Sequence, residues 1–424
     1  MIANGHYKVD KNAKIKYIAF LICPLFAFIY SIKSISTKGS RNIFILFGAL
    51  FGFTLFVPAA KGGINLSVDS TYYRMWFENI YSKLNFPGYL DRVYSWITFD
   101  INYQSGEIIK DIYLDTIGYI SSFFGDTYHI MFMFATIIFT IIACKCLRFL
   151  TSLSNFHFGY YSICILLIFT FNQFCNIHWF RFPTAAWVAV YAIFQMYANG
   201  NKKYILLLPL CCAIHGSFVV FLFMMIVVMS TTKRFERLWV FAFFVSIFIS
   251  SIPQSALEGL FSFLPERLRS YAGYSSVEGI SERAELISQR RTGSLIDMFG
   301  VAINIYMNIL MYLIIRKVRY VKTSTKITNV YPILLGLFTI INAFSFIKEF
   351  SERFRCVTFP LLAYVWLSLF SVRDKERKVI YLLPVVFAYQ LALNGYIYYM
   401  TSGLSLLISP FISIPYYLFT GEML

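Results

Sequence analysis

About eleven stretches of this chain are apolar for long enough to cross the roughly 30 Å hydrocarbon core of a bilayer, and that recurrence limits the fold more than any other feature. They lie near 15–32, 42–60, 128–148, 158–178, 182–198, 238–253, 297–316, 330–347, 355–371, 378–399 and 403–419. In hydrocarbon the backbone must satisfy its own hydrogen bonds, so such runs predict an all-α polytopic integral membrane protein. Composition agrees: 58% of the 424 residues are hydrophobic and 14% are charged, against about a quarter charged in soluble domains. The first run leads into a second with no small-residue cleavage site between them, so the first span is expected to stay. With no internal repeat or soluble stretch, residues 1–424 read as a single transmembrane domain.

One further apolar stretch, Tyr204 to Met229, is too long for an ordinary span and carries Pro209 and His215-Gly216-Ser217 at its centre. It predicts a broken re-entrant helix pair over about 203–230. The distribution of lysine and arginine supports that reading, because basic residues concentrate on the cytoplasmic side. A re-entrant pair places Lys33, Lys38, Arg41, Lys145, Arg148, Lys202, Lys203, Lys233, Arg234 and Arg237 in the cytoplasm, with the runs 316–322 and 373–378. Two long loops, 61–127 and 254–296, then face outward. One feature disagrees: Lys8, Lys11, Lys14 and Lys16 precede the first span and would be external.

Within the outer segments, Asp69 opens VDSTYYRMWFENIY (68–81). Its carboxylate suits a general base for a sugar hydroxyl, or the cap of a helix opening at Ser70. Arg181 stands at the outer start of a span with Pro183 in the first turn, where a guanidinium either snorkels to water or grips phosphate oxygens bidentately. His215, at the break in an apolar stretch, either transfers protons and binds a ligand or satisfies a neighbouring carbonyl. The later outer segments add Arg267, Arg269, Arg290, Arg291, Arg353 and Arg355. Amphipathic helices account for much of their pattern. Yet about half of all Lys and Arg face outward in this map, more than topology alone asks, which predicts a basic outer surface able to hold a pyrophosphate. Arg181 and one of Arg353 and Arg355 are expected to converge on one outer cavity.

Other signals narrow the chemistry. The eight cysteines lie in or beside apolar runs without metal-ligand spacing, so packing is expected, with no disulfide framework and no metal. A net charge of +16 on a membrane chain reflects orientation against anionic lipid, not nucleic-acid binding. No Walker, HExxH, GxSxG or Gly-rich dinucleotide motif occurs. No cofactor is expected, and an activated donor that carries its own leaving group needs no ATP.

The segment FNQFCNIHWFRFPTAAWVAVYAIFQMYANGNKKYILLLPLCCAIHGS (171–217) resembles the EpsG family of bacterial exopolysaccharide membrane proteins, which is similar in role to Wzy-type repeat-unit polymerases. Arg181 and His215 match its arginine-led helix and its His-x-Ser position. Asp69 with Tyr72 or Tyr73, beside Arg74, resembles the acidic-aromatic motif after the second span. Tyr271 or Tyr274 resembles the tyrosine of the later loop, and Arg353 or Arg355 the late arginine. Ser67 stands where the family usually has glycine, and Phe182 follows Arg181 where the family has glutamine. The resemblance implies a glycosyltransferase of the bacterial inner membrane that polymerises polyprenyl-pyrophosphate-linked oligosaccharide for exopolysaccharide, capsule or O-antigen. It further implies membrane lipid, flippase and chain-length regulator proteins as partners. A transporter or flippase of the same lipid, or a polysaccharide ligase, are the alternatives.

Overall fold

The computed structural model describes residues 10–57, 69–98, 111–249, 293–320, 325–345, 348–371 and 374–420. Helices account for nearly all the regular structure there, and no strand occurs among the described residues. They are α1 Ala13–Ile22, α2 Pro24–Ile32, α3 Lys38–Phe53, α4 Asp69–Asn79, α5 Phe86–Thr98, α6 Tyr113–Ser122, α7 Tyr128–Thr151, α8 Tyr160–Phe169 and α9 Arg181–Ile193. There follow α10 Leu207–Ile214, α11 Phe218–Thr231, α12 Glu236–Ile249, α13 Gly293–Tyr320, α14 Thr325–Ala343, α15 Lys348–Leu369, α16 Leu383–Val386, α17 Ala388–Ser402 and α18 Pro410–Thr420. Three continuous helical stretches, Tyr128–Thr151, Met298–Tyr320 and Lys375–Met400, are long and apolar enough to cross a membrane, and several shorter helices are equally apolar.

The first apolar run does not cross as one helix, as expected for 15–32; it folds back on itself. Pro24 pushes the preceding Cys23 into extended backbone (φ −148°, ψ 99°), and the chain reverses there. The start of α1 therefore lies beside the end of α2. Lys16 Nζ donates to Asp10 Oδ2 (2.6 Å), Ser34 Oγ (2.6 Å) and Ser40 Oγ (2.8 Å), and Asn42 Nδ2 donates to the Tyr17 hydroxyl (2.8 Å). With 10 and 9 residues, the two helices reach roughly 15 Å, half the hydrocarbon depth. The fold-back also brings Lys11, Lys14 and Lys16 to the side of Lys33, Lys38 and Arg41. That removes the one conflict in the expected charge map, as far as the described residues go; Lys8 lies outside them.

The chain divides into two compact units. The first holds residues 1–162, 172–222 and 393–424, with α3 and α7 packed along their length at its centre. Gly48 and Gly52, one turn apart, permit this approach. A Cβ would lie 2.4 Å from Thr140 Oγ1 at Gly48 and 2.5 Å from the Phe132 carbonyl oxygen at Gly52, the close-packing use of small residues in membrane helices. α9 fits against α7 and α10; its Phe182 to Val190 face is almost fully buried.

The second unit holds residues 163–171 and 223–392. There α14 packs against α12 and α15, and α13 against α15. A polar layer crosses it, in which Asn342 Nδ2 donates to Asn308 Oδ1 (2.9 Å) and to Ser246 Oγ (3.3 Å). At one end Arg316 pairs with Glu376 (2.6 Å) and Lys317 with Asp374.

Candidate functional site

The site begins with two helix starts. Helix α4 opens at Asp69, and the Tyr73 hydroxyl, one turn on, donates to Asp69 Oδ2 over a long 3.5 Å. Asp69 makes no bond to an amide of its own first turn among the described residues, so the carboxylate faces a side chain instead of capping the helix. Helix α9 opens at Arg181, whose Nε donates to the Tyr73 hydroxyl (2.8 Å) and whose Nη1 donates to Asp111 Oδ2 (2.8 Å). The guanidinium carbon lies 5.0 Å from the Tyr73 ring centroid. Phe180 supports the cluster from beneath, 4.8 Å from Tyr73 and 5.6 Å from Phe132 between ring centroids.

Burial decides the electrostatics. Tyr73 is 1% exposed and Asp111 4%, so neither can reorganise toward water. Desolvation pushes the Asp111 carboxyl up to about 6 although the Arg181 guanidinium beside it pulls the other way. A buried ion pair orients its members more than it stabilises the fold. Arg181 is thereby fixed at Nε and Nη1, while Nη2 has no partner among the described residues.

His215 sits at the break between α10 and α11, in extended backbone (φ −154°) and 9% exposed. Its Nδ1 receives the Ser217 amide (3.2 Å) and lies 2.7 Å from the Ser217 hydroxyl. Because an amide can only donate, Nδ1 is the unprotonated nitrogen and Nε2 carries the proton. The ring meets Phe182 edge-on at 5.4 Å. The helix break also frees the Ala213 carbonyl, which accepts from the Ile112 amide (3.0 Å). His215 thus adjoins, through Phe182 and Ile112, the two residues that follow Arg181 and Asp111 in the chain.

Other expected residues divide plainly. Tyr73, not Tyr72, reaches Arg181; Tyr72 packs on Trp76 (6.3 Å). Arg74 donates to the Val57 carbonyl (2.6 Å), pairs with Glu78 (2.8 Å) and covers the Tyr128 ring (4.6 Å). Arg353 and Arg355 belong to α15 in the second unit. Arg355 lines a cavity of about 10 Å³ with Asn304, Asn342 and Thr358, space for about one water. Arg267, Arg269, Tyr271, Tyr274, Arg290 and Arg291 lie outside the described residues.

Sequence reasoning missed Asp111 and His178. His178 Nδ1 lies 3.2 Å from the Ser70 hydroxyl, beside Asp69. Asp111 is 70 residues from Arg181 in the chain, so no local pattern links them. The available signal was an acidic residue two positions before the start of a helix. No group of three or more metal-ligating side chains occurs among the described residues.

Apolar helices, small-residue helix contacts and the buried Arg181–Tyr73–Asp111 cluster mark a helical membrane protein with a polar site built from a loop end and helix starts. The EpsG family matches residues 44–413, and the chain belongs to that family. It is thereby a membrane protein of polysaccharide biosynthesis. Neither the curated proteins nor the solved structures contain a significant match.

Proposed function

We propose that this chain polymerises lipid-linked oligosaccharide repeat units at the outer face of the bacterial inner membrane. The observation that carries the reading is Arg181, anchored by Tyr73 and Asp111 with Nη2 unpartnered among the described residues, beside the carboxylate of Asp69. An amino group held in this way needs no reorganisation when charge develops nearby, which is the condition for electrostatic stabilisation of a leaving group.

In the proposed reaction the acceptor's hydroxyl oxygen attacks the anomeric carbon of the donor sugar. The bond from that carbon to the pyrophosphate oxygen breaks, and polyprenyl pyrophosphate departs with the bonding pair. Arg181 Nη2 takes a phosphate oxygen as its negative charge grows. The hydroxyl proton passes to Asp69, which shares Tyr73 with Arg181. His215 is the second acid-base candidate.

The test is removal of the gene followed by analysis of lipid-linked intermediates. Single repeat units accumulating on the outer side support polymerisation. Units trapped inside indicate a flippase, and full-length lipid-linked polymer left untransferred indicates a ligase; either result overturns the proposal.

A further inference from the structure

Helix α5 is amphipathic in the reverse sense from a surface helix of a soluble protein. Toward the protein it buries Arg92 (8% exposed) and Ser95. Arg92 Nε donates to Asp115 Oδ1 (2.7 Å) and its guanidinium lies over the Tyr81 ring (5.8 Å). On the opposite face Phe86, Leu90, Tyr94 and Ile97 are 58%, 47%, 67% and 59% exposed. Their spacing of four, four and three residues sets them in one stripe along the helix. Water would leave that stripe unfavourably solvated while the polar residues lie buried, so the surroundings of this face are apolar.

Continuity with the membrane-facing surface identifies those surroundings. α5 is stacked on α6 through Tyr89 and Tyr119 (4.7 Å, 6° between ring planes). Just past the far end of α6 stand Phe123 and Phe124, 68% and 66% exposed. Phe124 contacts Phe134 (5.1 Å), which lies more than a turn inside α7. The exposed stripe of α5 therefore belongs to a surface that joins the flank of a membrane-crossing helix. We propose that α5 is an interfacial helix whose Phe86–Leu90–Tyr94–Ile97 face is seated among the acyl chains of the outer leaflet. Low charge on the helix, with Asp91 exposed and Arg92 paired internally, makes the hydrocarbon and not an anionic headgroup the partner.

The test uses the full chain in lipid bilayers with nitroxide labels at Leu90→Cys, Ile97→Cys and Asp91→Cys, the unsubstituted chain giving the background. Oxygen collects in the acyl region and a nickel chelate stays in water. At positions 90 and 97 the ratio of oxygen to nickel collisions is expected to be several-fold higher than at 91. Preferential nickel collision at 90 and 97 would overturn the proposal, because the stripe would then be in water. Protection from both reagents would overturn it as well, because a protein surface would then cover the face. The outcome does not depend on whether the chain is a polymerase.

Discussion

Two anchors on one guanidinium make Arg181 a residue whose replacement has graded consequences. Lysine keeps the charge but presents a single ammonium, which cannot serve Tyr73, Asp111 and a phosphate in one plane. Arg181→Lys is expected to accumulate normally and to lower polymer synthesis by about 10²-fold, measured as polymer per unit of membrane protein. Asp69→Asn preserves the acceptor for Tyr73 and removes the base; normal protein level with lost polymer is expected. Wild-type polymer from that variant would transfer the acid-base role to His215. Asp111→Ala leaves Arg181 buried without its counter-charge and should cost about 3 kcal/mol, read as thermal stability in detergent; Asp111→Ala with Arg181→Met should regain much of that loss without regaining polymer. The pH dependence has a definite sign. With its carboxyl raised in the folded state to about 6, Asp111 contributes stability below its ordinary range near 4, and this is lost as pH rises through about 6. Asp111→Asn should flatten that part of the stability profile. Asp69 and Arg181 were legible in the sequence because each marks a helix start beside an apolar run, whereas Asp111 acquires meaning only through a partner far along the chain.

At the level of elements, the α1–α2 fold-back makes the sharpest statement about topology. Impermeant thiol reagents applied to intact cells should fail to reach Lys11→Cys and Lys38→Cys alike, and should reach both in inverted vesicles. Opposite accessibility would restore a single crossing. Gly39 supplies a second check, since a Cβ there would sit 2.2 Å from Asp10 Oδ2. Gly39→Ala should displace the Asp10–Lys16 pair and lower stability by about 1–3 kcal/mol. Hydropathy read α7 correctly, predicting 128–148 for a helix that runs Tyr128–Thr151. It also placed the interruption at His215, where Gly216 and Ser217 mark it. It misread 15–32 because mean apolarity cannot distinguish one crossing from two half-depth helices. The informative signs were local, a Cys-Pro step and four lysines on the wrong side of the expected map.

On the scale of the whole molecule, the family match begins at residue 44, so the fold-back pair lies ahead of the matched residues. Its tip is nevertheless bonded into the molecule. The Leu25 amide donates to the Leu406 carbonyl (2.9 Å), in the turn between α17 and α18 where Gly403 adopts φ +53°. Partners so distant in the chain impose an order on biogenesis. The pair leaves the ribosome long before the segment that bonds its tip, some 380 residues further on. Until then the tip must be held by something other than its final neighbour, and the first unit closes only once Leu406 has been made. Chains arrested before residue 400 should therefore show a higher reactivity of the half-buried Cys23 toward a lipid-soluble maleimide than chains extended past 420.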